Sequence, residues 1–255
     1  MKKIIYTMIV LFTITACQGT TDKKKTEVQV AETPDQDEWI SLFDGETFNG
    51  WHLYNGADIS EEWQIIDGAM VFDPEGVRTY GNGGKNIVSN EEFTNFQLSI
   101  EWNISEAGNS GIFWGVQEGE EFGEPYLTGP EIQVLDNERH PDAQANPKFH
   151  QAGALYDIVQ PTYDVCNPAG EWNHVLLTID HNANKGSVEL NGTEIVTFPV
   201  NGPEWEALIA KSKFGNTEAY NYTHAPKFGQ FKTGKIGLQD HGDRVAYRNI
   251  KIRKL

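Results

Sequence analysis

Strict alternation at period two constrains this chain more than any other feature. In FQLSIEW, Phe96, Leu98, Ile100 and Trp102 share one face, while Gln97, Ser99 and Glu101 share the other. Only a strand with one buried side sorts residues this way, since a helix would spread them around its circumference. Two turn pairs make the same point. Asp67-Gly68 divides WQIIDGAMVF and Asn191-Gly192 divides GSVELNGTEIVTF, and both pairs suit two-residue hairpin turns with positive φ. Further strands are predicted at 111–116, 131–135, 154–157, 174–180, 236–240 and 246–253. One short helix is predicted in PEWEALIAKSKF, where Pro203 suits a first turn and Trp205, Leu208 and Ile209 fall on one face. No repeat recurs at a fixed period.

Many strands joined by loops rich in Gly, Asn and Pro predict an all-β domain of two packed antiparallel sheets, a jelly-roll sandwich. Residues 38–255 are assigned to one such domain, a length within the range of single β-sandwiches. The leading segment reads differently. Lys2 and Lys3, an apolar run from Ile4 to Ile14 and small Thr15 and Ala16 mark residues 1–16 as a secretory signal peptide. Cys17 follows at once and resembles the lipidated cysteine of a bacterial lipobox; the alternative is an ordinary cleaved signal. The polar stretch 18–37, with almost no aromatic residues, is expected to be a flexible linker behind the lipidated Cys17. The expected location is therefore the bacterial cell envelope, periplasmic or at the outer-membrane surface, with the membrane engaged only through the lipid anchor. The other cysteine, Cys166, has no disulfide partner in the sequence and no pattern that would activate it.

The formal charge is −17, and removal of residues 1–16 takes away Lys2 and Lys3 as well. So acidic a surface repels phosphate backbones, and no basic stripe offsets it, which argues against nucleic acid as a partner. A neutral small molecule or sugar remains compatible. If Ile132 and Val134 of EIQVL point inward, Glu131 and Gln133 project together to the opposite face. IGLQDHG likewise sends Gln239 and His241 away from Ile236 and Leu238, and GALYD sends Tyr156 away from Leu155. One carboxylate, two amides, a phenol and an imidazole would line a site for a polyhydroxylated ligand, provided that these strands are neighbours.

LFDGETFNGWHLYNG, NSGIFWGV, TGPEIQVLDNERHPDA, HQAGALYDIVQP, GEWNHVLLTI, LNGTEIVTF and KTGKIGLQDHGDRVAYRNIKIR together resemble the 3-keto-disaccharide hydrolase family over 40–255. The resemblance implies a concanavalin A-like or laminin G-like jelly roll. It also implies hydrolysis of glycosides whose sugar has been oxidised to a ketone at carbon 3 by a partner sugar 3-oxidoreductase. That ketone acidifies the hydrogen on carbon 2, because the carbanion is delocalised as an enolate. Such a reaction needs a base near carbon 2, donors for the enolate oxygen and an acid for the leaving oxygen. Carried onto this chain, Glu131 is the first candidate base and His241 the second, with Tyr156 as donor to an oxyanion or leaving group. Asn109, Gln133, His150 and Gln239 are assigned to recognition of hydroxyl and carbonyl groups, and Trp114 to stacking on a sugar face. Many members of the family carry an arginine after SGIF where this chain continues with Trp114, which bears on the substrate subtype. For His140 and His150 the alternative is a loop histidine bonded to backbone, and for Trp63 and Trp102 core packing is expected.

Two other functional classes fit the same residues. A conventional jelly-roll glycosidase would pair Glu131 with Glu138, at about 5–5.5 Å for retention or about 6.5–9.5 Å for inversion. A non-catalytic carbohydrate-binding module needs no such pair. No cofactor is called for. His140, His150, His241, Asp136 and Glu131 have a spacing unlike standard metal motifs, so no metal ligands are assigned.

Overall fold

The computed structural model describes residues 38–74, 84–145 and 148–255. The expected signal peptide, Cys17 and the linker lie outside the described residues. Thirteen strands form among those described: β1 (Ile40–Ser41), β2 (Trp51–Leu53), β3 (Trp63–Ile66), β4 (Ala69–Phe72), β5 (Ile87–Phe93), β6 (Phe96–Ile104), β7 (Asn109–Val116), β8 (Glu131–Leu135), β9 (Asn173–Asp180), β10 (Lys185–Leu190), β11 (Thr193–Phe198), β12 (Gly234–Leu238) and β13 (Val245–Lys254). One sheet has the order β11-β10-β9-β6-β13-β4-β3, with β1 added beside β13, and the other has the order β2-β5-β12-β7-β8. All pairings are antiparallel. This is the expected all-β, two-sheet jelly-roll sandwich.

The alternation of β6 alone accounts for much of the core. Phe96, Leu98, Ile100, Trp102 and Ile104 are buried, and the residues between them are half exposed. Facing them from the second sheet are Ile112, Ile132, Val134, Ile236 and Leu238. Trp63 and Trp102 belong to this core, as expected. The two hairpin turns take the predicted geometry: φ is 51° and 74° at Asp67 and Gly68, and 51° and 80° at Asn191 and Gly192. The helix predicted around Pro203 is α2 (Gly202–Ile209), preceded in the chain by the short α1 (Pro141–Ala145). Trp205 anchors α2 by burial and by an indole N–H donated to Gly229 O at 2.9 Å.

A polar link crosses between the two sheets. Ser110 Oγ donates to Gln239 O at 2.7 Å, so the 2.7 Å contact between Ser110 Oγ and Tyr247 Oη is donated by the tyrosine. It ties β13 of one sheet to β7 of the other at the point where the chain leaves β12. The strand expected at 154–157 does not form. Gly153 and Asp157 take positive φ, 80° and 61°, which breaks the extended run, and only Leu155 makes isolated bridges, to Ile132 and Val159. The segment is an arch beside β8, held by Gln133 N–H to Ala154 O (3.0 Å), Gly153 N–H to Gln133 O (2.8 Å) and Tyr156 N–H to Glu131 O (3.0 Å). Because β8 ends its sheet, this arch covers a strand edge. It also buries every residue of β8, including the polar ones on the outer face.

Candidate active site

The outer faces of β7 and β8, the turn after β12, the arch and the loop after α2 enclose a cleft of about 610 Å³. Of the residues singled out in the sequence, Asn109, Glu131, Gln133, Tyr156, Gln239 and His241 all line it. They converge because β7 and β8 pair in register, with Asn109 opposite Leu135 and Gly111 opposite Gln133, while Gln239 N–H bonds to Gly111 O at 2.9 Å.

Glu131 is buried on the cleft wall, and a methyl group added at Gly111 would lie 2.0 Å from its Oε1. The bare backbone of Gly111 is thus the bed on which the carboxyl rests. Burial pushes that carboxyl up to about 8, reinforced by the charge of Asp142 and opposed by Lys213 and His150. A carboxyl poised near neutrality can both take and return a proton. Around it, Gln133 Oε1, Gln239 Oε1 and His241 Nδ1 are buried without a hydrogen-bond partner among the described residues. Buried polar atoms are normally satisfied, so three such atoms in one cleft mark where a hydroxylated ligand would bond. Gln133 is itself fixed by an N–H donated to Asn109 Oδ1 at 2.6 Å. Burial holds His241 below the usual histidine range despite Asp243, Asp142 and Asp240, which favours a neutral imidazole.

Two assignments require correction. Trp114 lies on the inner face of β7 in phase with Ile112, 5.8 Å from the Phe198 ring, and so packs in the core instead of stacking in the cleft. His150 does not line the cleft. It sits behind Tyr156, with ring centroids 4.5 Å apart, and its nitrogens meet Asp142 Oδ1 at 2.9 Å and Asp157 Oδ1 at 3.1 Å. Burial opposes a charge there, but the bonds to Asp142 and Asp157 outweigh it and raise His150 to about 9. As an imidazolium donating to both carboxylates, it braces the wall that carries Tyr156.

The sequence reading missed Lys213 and Asp142. Asp157 Oδ2 accepts Lys213 N–H at 2.6 Å, which draws the loop after α2 over the arch. Lys213 Nζ then lies 4.3 Å from the centre of the Tyr156 ring and donates to its hydroxyl at 3.3 Å. Tyr156 in turn donates to Asp142 Oδ2 at 3.4 Å. Burial raises the Tyr156 phenol and, despite three nearby carboxylates, lowers Lys213.

A family profile described as a 3-keto-alpha-glucoside-1,2-lyase-like domain matches residues 38–253. The chain belongs to that family. A 3-keto-disaccharide hydrolase from Bacteroides thetaiotaomicron is 35% identical over 248 residues, spanning 91% of this chain and 84% of the relative. A crystal structure of a provisionally assigned glycosyl hydrolase from Parabacteroides distasonis is similar with a TM-score of 0.72 at 30% identity, covering 88% of this chain and 98% of that one. A second from the same organism scores 0.65 at 23% identity, covering 86% and 100%, and bears on the fold alone.

In this 3-keto-alpha-glucoside-1,2-lyase-like domain, Glu138 lines a separate depression with Asp136, Asp164 and Cys166 and bonds to Arg139. The Glu131–Glu138 pair of a conventional glycosidase is therefore not assembled. Asp136 braces a loop by accepting Ala107 N–H and Glu138 N–H at 2.7 and 3.0 Å. Among the described residues, no three His, Cys, Asp or Glu side chains are grouped so as to hold a metal ion. The signal for Asp142 was His140-Pro141-Asp142, a helix start. That for Lys213 was the end of α2 at Ile209, four residues short of the lysine.

Proposed function

We propose that the domain cleaves the glycosidic bond of 3-keto-glycosides, 3-keto-disaccharides among them, by proton abstraction, elimination and hydration. The observation that carries the reading is the buried Glu131 carboxyl, poised near neutrality inside a cleft where Gln133 Oε1, Gln239 Oε1 and His241 Nδ1 have no partner among the described residues. Glu131 removes the proton from carbon 2, and the electron pair moves to the carbon 3 oxygen as an enolate. The enolate collapses, a double bond forms between carbons 1 and 2, and the bond from carbon 1 to the leaving oxygen breaks. Tyr156, a phenol kept protonated by burial, supplies the proton to that oxygen. Water then adds at carbon 1 while a proton returns to carbon 2. His241, kept toward its neutral form by burial and with Nδ1 unpartnered among the described residues, suits activation of that water. Asn109, Gln133 and Gln239 bond the sugar hydroxyls and carbonyl. The 1,2-lyase wording of the family description and the name of the Bacteroides thetaiotaomicron relative support this chemistry.

The test is turnover of matched glycosides and their 3-keto forms. Only the keto forms should react, and Glu131→Gln should release product at least about a hundred-fold more slowly. Equal rates on unoxidised disaccharides, or undiminished release by Glu131→Gln, would sink the proposal. A sugar 3-oxidoreductase must supply the ketone, and the lipid anchor inferred at Cys17 would hold the hydrolase in the same envelope compartment. Cys17→Ser should then keep its rate in solution while supporting growth on the glycoside less well.

A further inference from the structure

Lys213 is the cleft-lining cation for which the steps above have no use. Its backbone is pinned by Asp157, a residue held at φ 61° whose other carboxylate oxygen meets His150. Its ammonium lies against the Tyr156 ring and gives one proton to the Tyr156 hydroxyl. No carboxylate of the described residues lies within ion-pair distance of Nζ, although the charges of Glu131, Asp157 and Asp142 all act on it. An ammonium has three donors, and among the described residues one of them has a hydrogen-bond acceptor, the Tyr156 hydroxyl. Holding such a half-buried group without a salt bridge costs free energy, and a lysine serving only as a prop would be better paired with one of those carboxylates.

Resting on the reaction proposed above, we infer that Lys213 is a catalytic residue which, with Tyr156, donates hydrogen bonds to the carbon 3 oxygen as it becomes an enolate. The placement is what that step demands. Abstraction at carbon 2 by Glu131 moves negative charge to an oxygen two atoms away, and a cation lining the same cleft stabilises the charge as it develops. The lysine acts without covalent change: the proton leaves carbon 2 for Glu131, the electron pair moves to the oxygen, and no bond to nitrogen forms. The phenol reaches the oxyanion first and the leaving oxygen afterwards, two groups separated by only a few bonds on one ring.

The experiment separates proton abstraction from bond cleavage. A 3-keto-1,5-anhydroglucitol carries no leaving group at carbon 1, so exchange of its carbon 2 hydrogen in deuterium oxide reports the enolate step alone. Wild-type protein is expected to catalyse the exchange. Lys213→Met should slow it about a hundred-fold or more while the KM for a 3-keto-disaccharide changes far less, and Lys213→Arg should recover much of the loss. The wild-type exchange should also fall at alkaline pH as the lysine loses its proton, a limb that Lys213→Met lacks and that a purely structural role would not remove. Lys213→Gln serves if the methionine variant is unstable. Exchange by folded Lys213→Met within about threefold of wild type would overturn the inference while leaving the reaction intact. Absence of exchange in the wild type would overturn both. Capture of a sugar on Lys213 by borohydride would replace the donor role with a covalent one.

Discussion

The placement of Glu131 depends on the absence of a side chain at Gly111. Gly111→Ala must shift the carboxyl, because the added methyl would fall 2.0 Å from Oε1. A misplacement of about 1 Å can cost about a hundred-fold in rate. The expected outcome is therefore a large loss of kcat in a protein whose circular dichroism is unchanged. Titration gives a second prediction. If Glu131 is the base of the proposed reaction it must be ionised to act, and kcat/KM should rise with pH through an apparent value of about 8. The same raised value affects stability with a definite sign. A carboxyl that goes from 4.5 unfolded to about 8 folded binds a proton on folding, so its contribution is full below about 4.5 and is lost as pH rises through about 8. His150, raised from 6.5 to about 9, acts in the same direction over a higher window. Glu131→Gln removes the first contribution, so its Tm relative to wild type should improve between pH 5 and pH 9. A constant difference would contradict this.

At the scale of elements, what the sequence disclosed depended on clean alternation. β6, β8 and β9 obey it, and their limits were read to within a few residues. β5 does not: three buried residues are followed by three exposed ones, and its pairing with β12 slips at Lys235 and Gly237, so no period-two signal marked it. The arch failed for the opposite reason. Its sequence alternates, yet two residues in the left-handed region turn the chain away from the strand path. Asp157 is the joint between the arch and the loop after α2, accepting from His150 and from Lys213 N–H. Asp157→Ala leaves two part-buried donors unsatisfied and should cost about 1–3 kcal/mol in denaturant unfolding, while Asp157→Asn should cost less.

Across the whole molecule, the fold class was legible because alternation reports which side of a strand faces the core, whatever strand lies beside it. The site was legible only in part. Five of its residues, Asn109, Glu131, Gln133, Gln239 and His241, sit on or directly after strands, whereas Tyr156 on the arch, Asp142 and Lys213 lie on segments whose course is set by tertiary contacts. The sandwich is held without a disulfide among the described residues, and burial pushes the Cys166 thiol up to about 12. A reducing agent should thus leave the Tm unchanged, and iodoacetamide should alkylate the native protein far more slowly than the unfolded one. The arch over β8 has one further consequence. The outermost strand of an open sheet is a template on which a second molecule can build, and here the backbone positions that such a neighbour would use are taken by Gly153, Ala154 and Tyr156. The loop that carries Tyr156 into the cleft also closes this edge of the sheet, so changes that loosen it should register as self-association through β8, read by size-exclusion chromatography, as well as in turnover.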